Sequence, residues 1–287
     1  MNFNSPFGSA PSSPSVSIKD DVQIIFVADM FAEDYAGGAE LTTEALIEKC
    51  PVTYQKVLAK DVSVSLLEQG HLKHWIFGNF SALDQSLIPT IVAVLSYSVL
   101  EYDYKFCKYR SQEKHTFAEK KECDCADSQH GKMISAFYYG AKSLYWMSEA
   151  QQNIYLEKFP FLSEKHNTVL SSVFSDDFFV HLKALREEHK DAVREGWIVL
   201  GSSSWIKGAS SAEEWCKENN LNYEVVWGLP YEEVLSKLAM AEGFVYLPEG
   251  NDTCPRMVIE AKLLGCKLHL NDFVQHKDEE WFATDNT

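Results

Sequence analysis

The second half of the chain alternates short apolar runs with helix-like segments. Strands are predicted where β-branched and aromatic residues cluster, and helices where apolar residues recur every three or four positions. The predicted strands cover residues 197–201, 223–227, 244–247 and 267–270, and the predicted helices cover 212–219, a segment beginning at Pro230, and 257–264. Four strands that alternate with three helices predict a parallel α/β sheet.

The first half repeats this pattern less regularly. Residues 22–28 are almost all apolar, as expected of a strand covered on both faces, and a Gly37-Gly38 turn follows. Further predicted elements are strands over 57–59, 75–77, 90–95 and 143–147 and helices over 39–49 and 149–158, whereas segment 101–132 is polar and looks irregular. We therefore expect two α/β units with one shared architecture.

Composition excludes several classes of function. The chain has 287 residues and a formal net charge of −16, and such a surface repels phosphate backbones, so nucleic acid is an unfavourable partner. No run approaches the roughly 20 apolar residues that a membrane span needs. The N-terminus lacks the layout of a secretory signal, and seven cysteines fit reduced thiols better than a disulfide framework. We expect a cytoplasmic protein without transmembrane segments.

The most informative window is residues 247–261, which joins a buried strand to a helix. Open α/β sheets bind ligands at this edge, and backbone N–H groups at the start of a helix suit a diphosphate. Asp252 and Glu260 lie eight residues apart in this window. A carboxylate can accept hydrogen bonds from two neighbouring sugar hydroxyls, so such a pair could hold two sugar rings across a pyrophosphate. An ordinary loop followed by an acidic helix start is the alternative.

Two further sequence features that could bind a ligand come after predicted strands. The loop after strand 197–201 contains Ser203 and ends in Lys207-Gly208, and a lysine there would neutralise charge that develops on a leaving diphosphate. Gly37-Gly38 follows the first strand, where the absence of a Cβ permits close approach of a ligand to the backbone. Taken alone, Lys207 is more typical of a solvated surface lysine, and the Gly-Gly pair is more typical of a tight connection.

Together these pieces resemble the retaining glycosyltransferases of group 1, whose GT-B fold consists of two Rossmann-like domains. The window is similar to their Glu-x7-Glu signature, with Asp252 in place of the first Glu and Glu260 as the second. Lys207 matches their phosphate-binding lysine, and Gly37-Gly38-Ala39-Glu40 matches their Gly-Gly-x-Glu element. The resemblance covers about residues 20–275, although only these short windows are specific.

The resemblance implies transfer of a hexose from a UDP- or GDP-sugar, with retention and with no required cofactor. Lys207 and Asp252 would be the catalytic residues, and Asp252 would contact the hexose while Glu260 contacts the ribose. The donor would bind to Gly37, Gly38, Ser203, Lys207, Asp252, Thr253, Cys254 and Glu260. The acceptor, a glycan, a lipid or another molecule, would lie near Asp103 and Tyr104, for which a plain loop is the alternative.

The resemblance also implies a division of the chain. Residues 20–172 would form the acceptor domain, with the crossover in 160–174, and residues 173–272 would form the donor domain. A flexible, Ser- and Pro-rich leader is expected over residues 1–19. Residues 273–287 would form a tail or a helix that crosses back to the first domain.

Departures from the family pattern leave a second function open. Pro255-Arg256 stands where the family has Gly-Phe or Gly-Leu, and Ser202 or Ser203 replaces an arginine that precedes the lysine. A catalytically degenerate relative that only binds a nucleotide sugar is therefore the alternative. A Rossmann epimerase or dehydrogenase is disfavoured, because residues 28–40 lack the Gly-x-Gly-x-x-Gly turn.

No metal is expected among the donor-site residues. A separate hypothesis concerns the irregular segment, which contains Cys107, His115, Cys123, Cys125 and His130. Thiolates and imidazoles clustered in one loop could hold a structural zinc ion. Because Cys-x-Cys is not a common zinc spacing, reduced structural cysteines are the alternative.

Overall fold

The computed structural model describes residues 16–283, which contain two parallel sheets. The first sheet has six strands in the order β2-β1-β3-β4-β5-β6. Its strands are β1 (Ile24–Ala28), β2 (Tyr54–Leu58), β3 (His74–Phe77), β4 (Ser96–Glu101), β5 (Ser143–Trp146) and β6 (His166–Val169). Its helices are α1 (Gly38–Glu48), α2 (Val64–Gln69), α3 (Ile88–Val94), α4 (Gln112–Glu119), α5 (Gln129–Gly140) and α6 (Glu149–Lys158).

Aromatic rings fill the core beneath the first sheet. Phe77 on β3 packs edge-on against Tyr97 on β4 with ring centroids 5.7 Å apart, and Phe137 on α5 stacks on Tyr97 at 4.9 Å. Burial of such rings stabilises the sheet through apolar area and favourable ring geometry. Fully covered strands explain why β1 is apolar at successive positions.

The second sheet has four strands in the order β10-β9-β7-β8. Its strands are β7 (Trp197–Leu200), β8 (Tyr223–Val226), β9 (Gly243–Tyr246) and β10 (Lys267–Leu270). The helices that follow β6 in the chain are α7 (Asp176–Glu188), α8 (Ala209–Glu218), α9 (Tyr231–Met240), α10 (Arg256–Leu263) and α11 (Glu280–Ala283). The prediction of an α/β chain with two parallel sheets is confirmed.

One predicted strand is wrong. Residues 90–95 lie in α3 and its C-cap, and the strand is β4 immediately after it. The β-branched run Thr90-Ile91-Val92 suggests a strand, but Pro89 occupies the first turn of the helix, where the missing N–H costs nothing. Local propensity was overridden by packing, since Ile91 is fully buried.

The polar segment 101–132 is more regular than its composition suggests. It contains α4 and the beginning of α5, and both helices begin at serine N-caps. Ser111 Oγ accepts from Lys114 N and Ser128 Oγ accepts from Gly131 N, both at 3.1 Å. Such caps satisfy N–H groups that have no partner in the helix, which lets a polar helix form.

Two connections join the sheets. The chain leaves β6 and enters α7, so the predicted crossover segment 160–174 contains a strand of the first sheet. The chain then returns after β10, where Gln275 Oε1 accepts from Ser148 Oγ at 3.2 Å and Glu279 Oε1 accepts from Glu149 N at 2.8 Å. The returning segment thus contacts the start of α6.

Most of the predicted leader lies outside the described residues. Within its described part, Ile18 N donates to Gln69 Oε1 at 3.0 Å and Lys19 N donates to Gln55 Oε1 at 3.1 Å. Over residues 16–283, no helix combines the length and the apolar character needed to cross a bilayer. The domain limits and the cellular location stay predictions.

Candidate functional site

A cleft of about 790 Å³ lies between the two sheets. Its walls are the segments that follow β1, β3, β4 and β5 of the first sheet and β7, β8 and β9 of the second. This is the edge at which parallel α/β sheets bind ligands. The predicted site residues that line it are Gly38, Asp103, Ser203, Lys207, Asp252, Thr253, Cys254 and Glu260.

Lys207 and Asp252 form an ion pair in this cleft. Lys207 Nζ donates to Asp252 Oδ2 at 2.7 Å, and the Tyr246 hydroxyl donates to the same oxygen at 2.5 Å. The lysine side chain is 35% exposed and the aspartate side chain 14% exposed, so the pair is reachable from the cleft. The pair comes from two different loops of the second sheet, after β7 and after β9.

The ion pair keeps Asp252 ionised. Burial by itself would raise the pKa of Asp252, but the Lys207 ammonium and the Tyr246 hydroxyl outweigh burial and lower it below the usual value of 3.8. Tyr246 stays protonated, because burial and the neighbouring carboxylate hold its pKa well above 10. At neutral pH the cleft therefore presents a carboxylate beside an ammonium.

Glu260 lies deeper in the same cleft and has different partners. It is 1% exposed, and its Oε1 accepts from the Tyr231 hydroxyl at 2.6 Å and from Arg256 Nε at 3.0 Å. Arg256 is one helical turn away on α10, stacks its guanidinium 3.8 Å from the centroid of the Phe174 ring, and donates to Val173 O. Burial raises the pKa of Glu260, and Tyr231 and Arg256 only partly oppose it.

The Gly-Gly turn meets this site from the first sheet. Gly38 starts α1, and a Cβ placed on it would lie 3.7 Å from Arg256 Cβ, so the turn and α10 approach each other closely. Gly37 precedes the helix as its N-cap and does not line the cleft. A Cβ on Gly37 would collide with the Glu40 carboxylate and lie 2.6 Å from the Tyr35 ring, so both side chains would have to move to admit a larger residue.

Asp103 follows β4 and lies in a network of charges. Arg110 Nε donates to Asp103 Oδ2 at 2.5 Å, and Lys105 Nζ donates to Asp103 Oδ1 at 3.5 Å and to Glu101 Oε1 at 3.1 Å. Burial alone would raise the pKa of Asp103, but Lys105 and Arg110 lower it. Asp103 is thus an ionised, positioned carboxylate on the first-sheet side of the cleft.

Tyr104 is not brought to the cleft. It is 1% exposed, and its ring stacks on Tyr155 at 6.0 Å in the core of the first sheet. Next to it, Tyr102 lines the cleft, and its hydroxyl lies 2.7 Å from Thr43 Oγ1. In a continuing strand Tyr102 and Tyr104 would share one face. Because β4 ends at Glu101 and the chain bends at Asp103, the two tyrosines face different sides.

The loop before α10 ties the sheets together. Thr253 Oγ1 donates to Tyr102 O at 2.8 Å, and Cys254 O accepts from Ser172 Oγ at 3.1 Å. Cys254 Sγ also lies 3.3 Å from Ser171 Oγ. Backbone and side chains of Thr253 and Cys254 thus hold the loop that bears Asp252, whereas Ser203 is exposed at the rim.

Several polar residues of the cleft were not predicted from the sequence. Arg110, Tyr231 and Tyr246 all line it. Tyr246 ends a buried strand, Tyr231 begins a helix and Arg110 lies in an irregular loop with a left-handed backbone (φ 57°). The position of Tyr246 at a strand's carboxyl end was a usable signal, but nothing local marks the other two.

No family model matches the chain, and no curated protein matches it by sequence. Solved structures do match its fold. A UDP-forming α,α-trehalose-phosphate synthase from Burkholderia xenovorans is similar with a TM-score of 0.54 at 6% identity, over 89% of this chain and 85% of that one. Alr3699/HepE from Anabaena, in complex with UDP and glucose, is similar with a TM-score of 0.51 at 10% identity, over 86% of this chain and 80% of that one. With its two parallel α/β sheets, the chain shares the GT-B fold of these two structures.

Proposed function

We propose that the chain is a glycosyltransferase that moves a hexose from a nucleotide-diphosphate sugar to an acceptor, with retention at the sugar carbon. The observation that carries the proposal is the Lys207–Asp252 pair, which shares one cleft with Glu260 between the two sheets. The fold supports the proposal, because the Anabaena protein with the same fold has been solved with UDP and glucose and with UDP-glucose.

Lys207 is proposed to bind the donor diphosphate. An ammonium carries three N–H donors, and Asp252 takes one of them, so two remain for phosphate oxygens. Negative charge grows on the diphosphate as the bond to the sugar breaks. A fixed ammonium in a partly desolvated cleft stabilises that charge more than water does.

Asp252 is proposed to hold the transferred hexose. Lys207 and Tyr246 both donate to its Oδ2, so its Oδ1 can accept from sugar hydroxyls. A carboxylate held by two donors cannot swing away, and that rigidity favours one orientation of the sugar. In the same way, Tyr231 and Arg256 hold Glu260 by Oε1, and its Oε2 can accept from a ribose hydroxyl.

The acceptor is proposed to approach from the first sheet, beside Asp103. In a retaining transfer the leaving phosphate can take the acceptor proton, so no strong protein base is required. Asp103 is then a positioning group for an acceptor hydroxyl, and Arg110 fixes its direction. The two carboxylates, Asp103 and Asp252, flank the place where the two substrates meet.

The test begins with a thermal-shift screen of UDP, GDP and their sugars, followed by assays of donor hydrolysis and sugar transfer. We expect Asp252→Ala to reduce turnover about a hundredfold or more, since a positioned charge at the reacting centre has an effect of that order. The control is Asp191→Ala, which removes an exposed carboxylate that does not line the cleft. Equal turnover in wild type and Asp252→Ala would refute the assigned role.

A nucleotide-sugar-binding relative without turnover is the second candidate. The observation in its favour is that Arg256 and Tyr231 already occupy one oxygen of Glu260, and Arg256 replaces a smaller family residue. Thermal stabilisation by a nucleotide sugar, with no hydrolysis or transfer over hours, would select this candidate. Product formation would reject it.

A further inference from the structure

Three cysteines and a histidine come together beside the cleft but outside it. They are Cys107 after β4, His115 on α4, Cys123 in the following loop and Cys125 at the start of a short 3-10 turn. One ligand atom of each residue lies within 4.8 Å of the others. Three of the four residues are buried, and Cys123 is half-buried.

The distances fit a tetrahedral metal site. His115 Nδ1 lies 3.2 Å from Cys125 Sγ and 3.9 Å from Cys107 Sγ. Zinc–sulfur bonds of about 2.3 Å and zinc–nitrogen bonds of about 2.0–2.1 Å give a sulfur–nitrogen edge of about 3.6 Å in a tetrahedron. The two observed separations lie on either side of that edge.

The surroundings of Nε2, the second ring nitrogen of His115, also indicate a metal site. Nε2 belongs to a side chain that is 1% exposed, and it has no hydrogen-bond partner among residues 16–283. The carboxylate of Asp124 lies 3.8 Å from it. When Nδ1 binds a metal, Nε2 carries the proton, and a nearby carboxylate is the usual partner that orients such a histidine.

We propose that Cys107, His115, Cys123 and Cys125 bind one structural zinc ion. Three thiolates and one imidazole form a closed four-ligand set, which suits zinc and leaves no open position for catalysis. His130 does not belong to this group of mutually close ligand atoms, and its Nε2 is hydrogen-bonded to Lys105 O at 2.9 Å. This zinc site does not depend on the proposed sugar transfer.

The ion would fix α4 against the loops of the second sheet. His115 is the buried residue of α4, so apolar packing contributes little to holding this helix in place. Its exposed face reaches across the cleft, where Phe117 stacks on Trp205 at 5.2 Å and Glu113 Oε1 accepts from Asn251 Nδ2 at 2.8 Å. Trp205 and Asn251 belong to the loops that carry Lys207 and Asp252.

The test measures metal in the full-length protein, purified without a metal-affinity tag. Elemental analysis is expected to find about one zinc per chain in the wild type. We expect Cys125→Ser to lose at least four-fifths of it, while the matched control Cys50→Ser, which changes a half-buried cysteine between α1 and β2, keeps it. Less than half an equivalent of zinc in the wild type would overturn the proposal, as would equal zinc in Cys125→Ser.

A second measurement does not depend on the folding of a variant. Cobalt(II) exchanged into the wild-type protein is expected to give thiolate charge-transfer bands and the intense visible bands of tetrahedral cobalt. Removing the metal with a chelator is expected to raise hydrogen exchange in residues 112–119 and leave residues 256–263 unchanged. Octahedral cobalt spectra, or disulfides among the three cysteines in freshly purified protein, would contradict the site.

Discussion

The Lys207–Asp252 pair determines the charge of the cleft before and after a donor binds. Without a donor in the cleft, the Lys207 ammonium and the Asp252 carboxylate lie 2.7 Å apart and neutralise each other. A diphosphate bound as proposed would add negative charge beside Lys207, while Tyr246 would continue to donate to Asp252. Lys207 thus attracts the phosphates and Asp252 repels them. A buried carboxylate can still accept hydrogen bonds from the hydroxyl groups of a sugar.

His276 is a second residue with an unusual environment. It is 0% exposed, neither ring nitrogen has a hydrogen-bond partner among the described residues, and the ring stacks 5.5 Å from Trp281. Burial lowers its pKa from 6.5 to about 4, although Asp252 opposes the shift. The folded protein therefore keeps His276 neutral at pH values at which the unfolded chain protonates it.

The depressed pKa of His276 predicts a loss of stability in mild acid. Since the unfolded state binds the extra proton, the free energy of unfolding falls as the pH drops from 6.5 toward 4, by about 2 kcal/mol between pH 7 and pH 5. His276→Phe should remove this part of the pH dependence and keep the contacts with Trp281 and Phe282. Urea unfolding of both proteins at the two pH values measures the difference. Parallel pH profiles would contradict the prediction.

The site residues of the second sheet could be predicted from the sequence, but their hydrogen-bond partners could not. Lys207 and Asp252 stand at strand ends in recognisable windows, so the sequence identifies them. Tyr246 donates to Asp252 six residues away, and Arg110 donates to Asp103 seven residues away. Both contacts depend on the course of irregular loops, which no local sequence pattern predicts. Tyr104 was predicted to lie at the acceptor site but does not line the cleft, whereas Tyr102, two residues earlier, does.

At the scale of elements, the loop that carries Lys207 is packed against the neighbouring strand end. Gly208 has a left-handed backbone with φ of 61°, and a Cβ on it would overlap the carbonyl group of Leu247. Glu249 N donates to Ile206 O at 3.0 Å beside it. The loop after β7 thus rests on the loop after β9, which sets the distance between Lys207 and Asp252.

Two glycines with the same backbone conformation test this packing. Gly208 and Gly228 have φ of 61° and 68°, but a Cβ on Gly228 would meet nothing within 4 Å. Each alanine variant bears the cost of a left-handed residue, about 1–2 kcal/mol. Gly208→Ala bears a backbone clash in addition, so it should lower the free energy of unfolding by at least 1 kcal/mol more. Equal losses in denaturant titrations would show that the loops are not in contact.

Prediction of elements succeeded where strands and helices alternate and each has its own apolar pattern. In the second sheet the predicted strand over 267–270 matches β10 and the other strands agree to within a residue. In the first sheet α3 was mistaken for a strand, and β6, with its polar residues His166 and Asn167, was missed. Short edge strands carry little apolar signal, so the partner strand β5 is what identifies β6.

At the scale of the whole molecule, the charge of the chain contrasts with that of the proposed donor. A net charge of −16 repels a nucleotide-diphosphate sugar at long range, so binding depends on the few cations near the cleft. Four cations among the described residues line it, Lys207, Arg110, Arg256 and Lys114, and the first three are already paired with carboxylates. Lowering the ionic strength should therefore raise the affinity for a diphosphate less than a single exposed lysine would suggest, because the net negative charge of the chain is then also less screened.

The two-sheet architecture could be predicted from the sequence, whereas the contacts that join its two halves could not. Two parallel sheets follow from the order of elements, and the resemblance to GT-B enzymes rests on a few short windows. The contacts that join the two halves, such as Thr253 with the backbone of Tyr102 and Glu279 with that of Glu149, involve residues with no distinguishing local pattern. Their positions follow from packing of the complete chain.

The central claim is that Lys207 holds the diphosphate of a nucleotide donor in the cleft. Isothermal titration calorimetry of UDP, and of GDP if UDP does not bind, into wild type and Lys207→Ala tests it most directly, with Lys217→Ala on α8 as the control. A hydrogen bond to a charged group contributes about 1.5–3 kcal/mol. We therefore expect the dissociation constant to be at least tenfold larger for Lys207→Ala and unchanged for Lys217→Ala. Equal affinity in all three proteins, or no binding of either nucleotide by the wild type, would contradict the account.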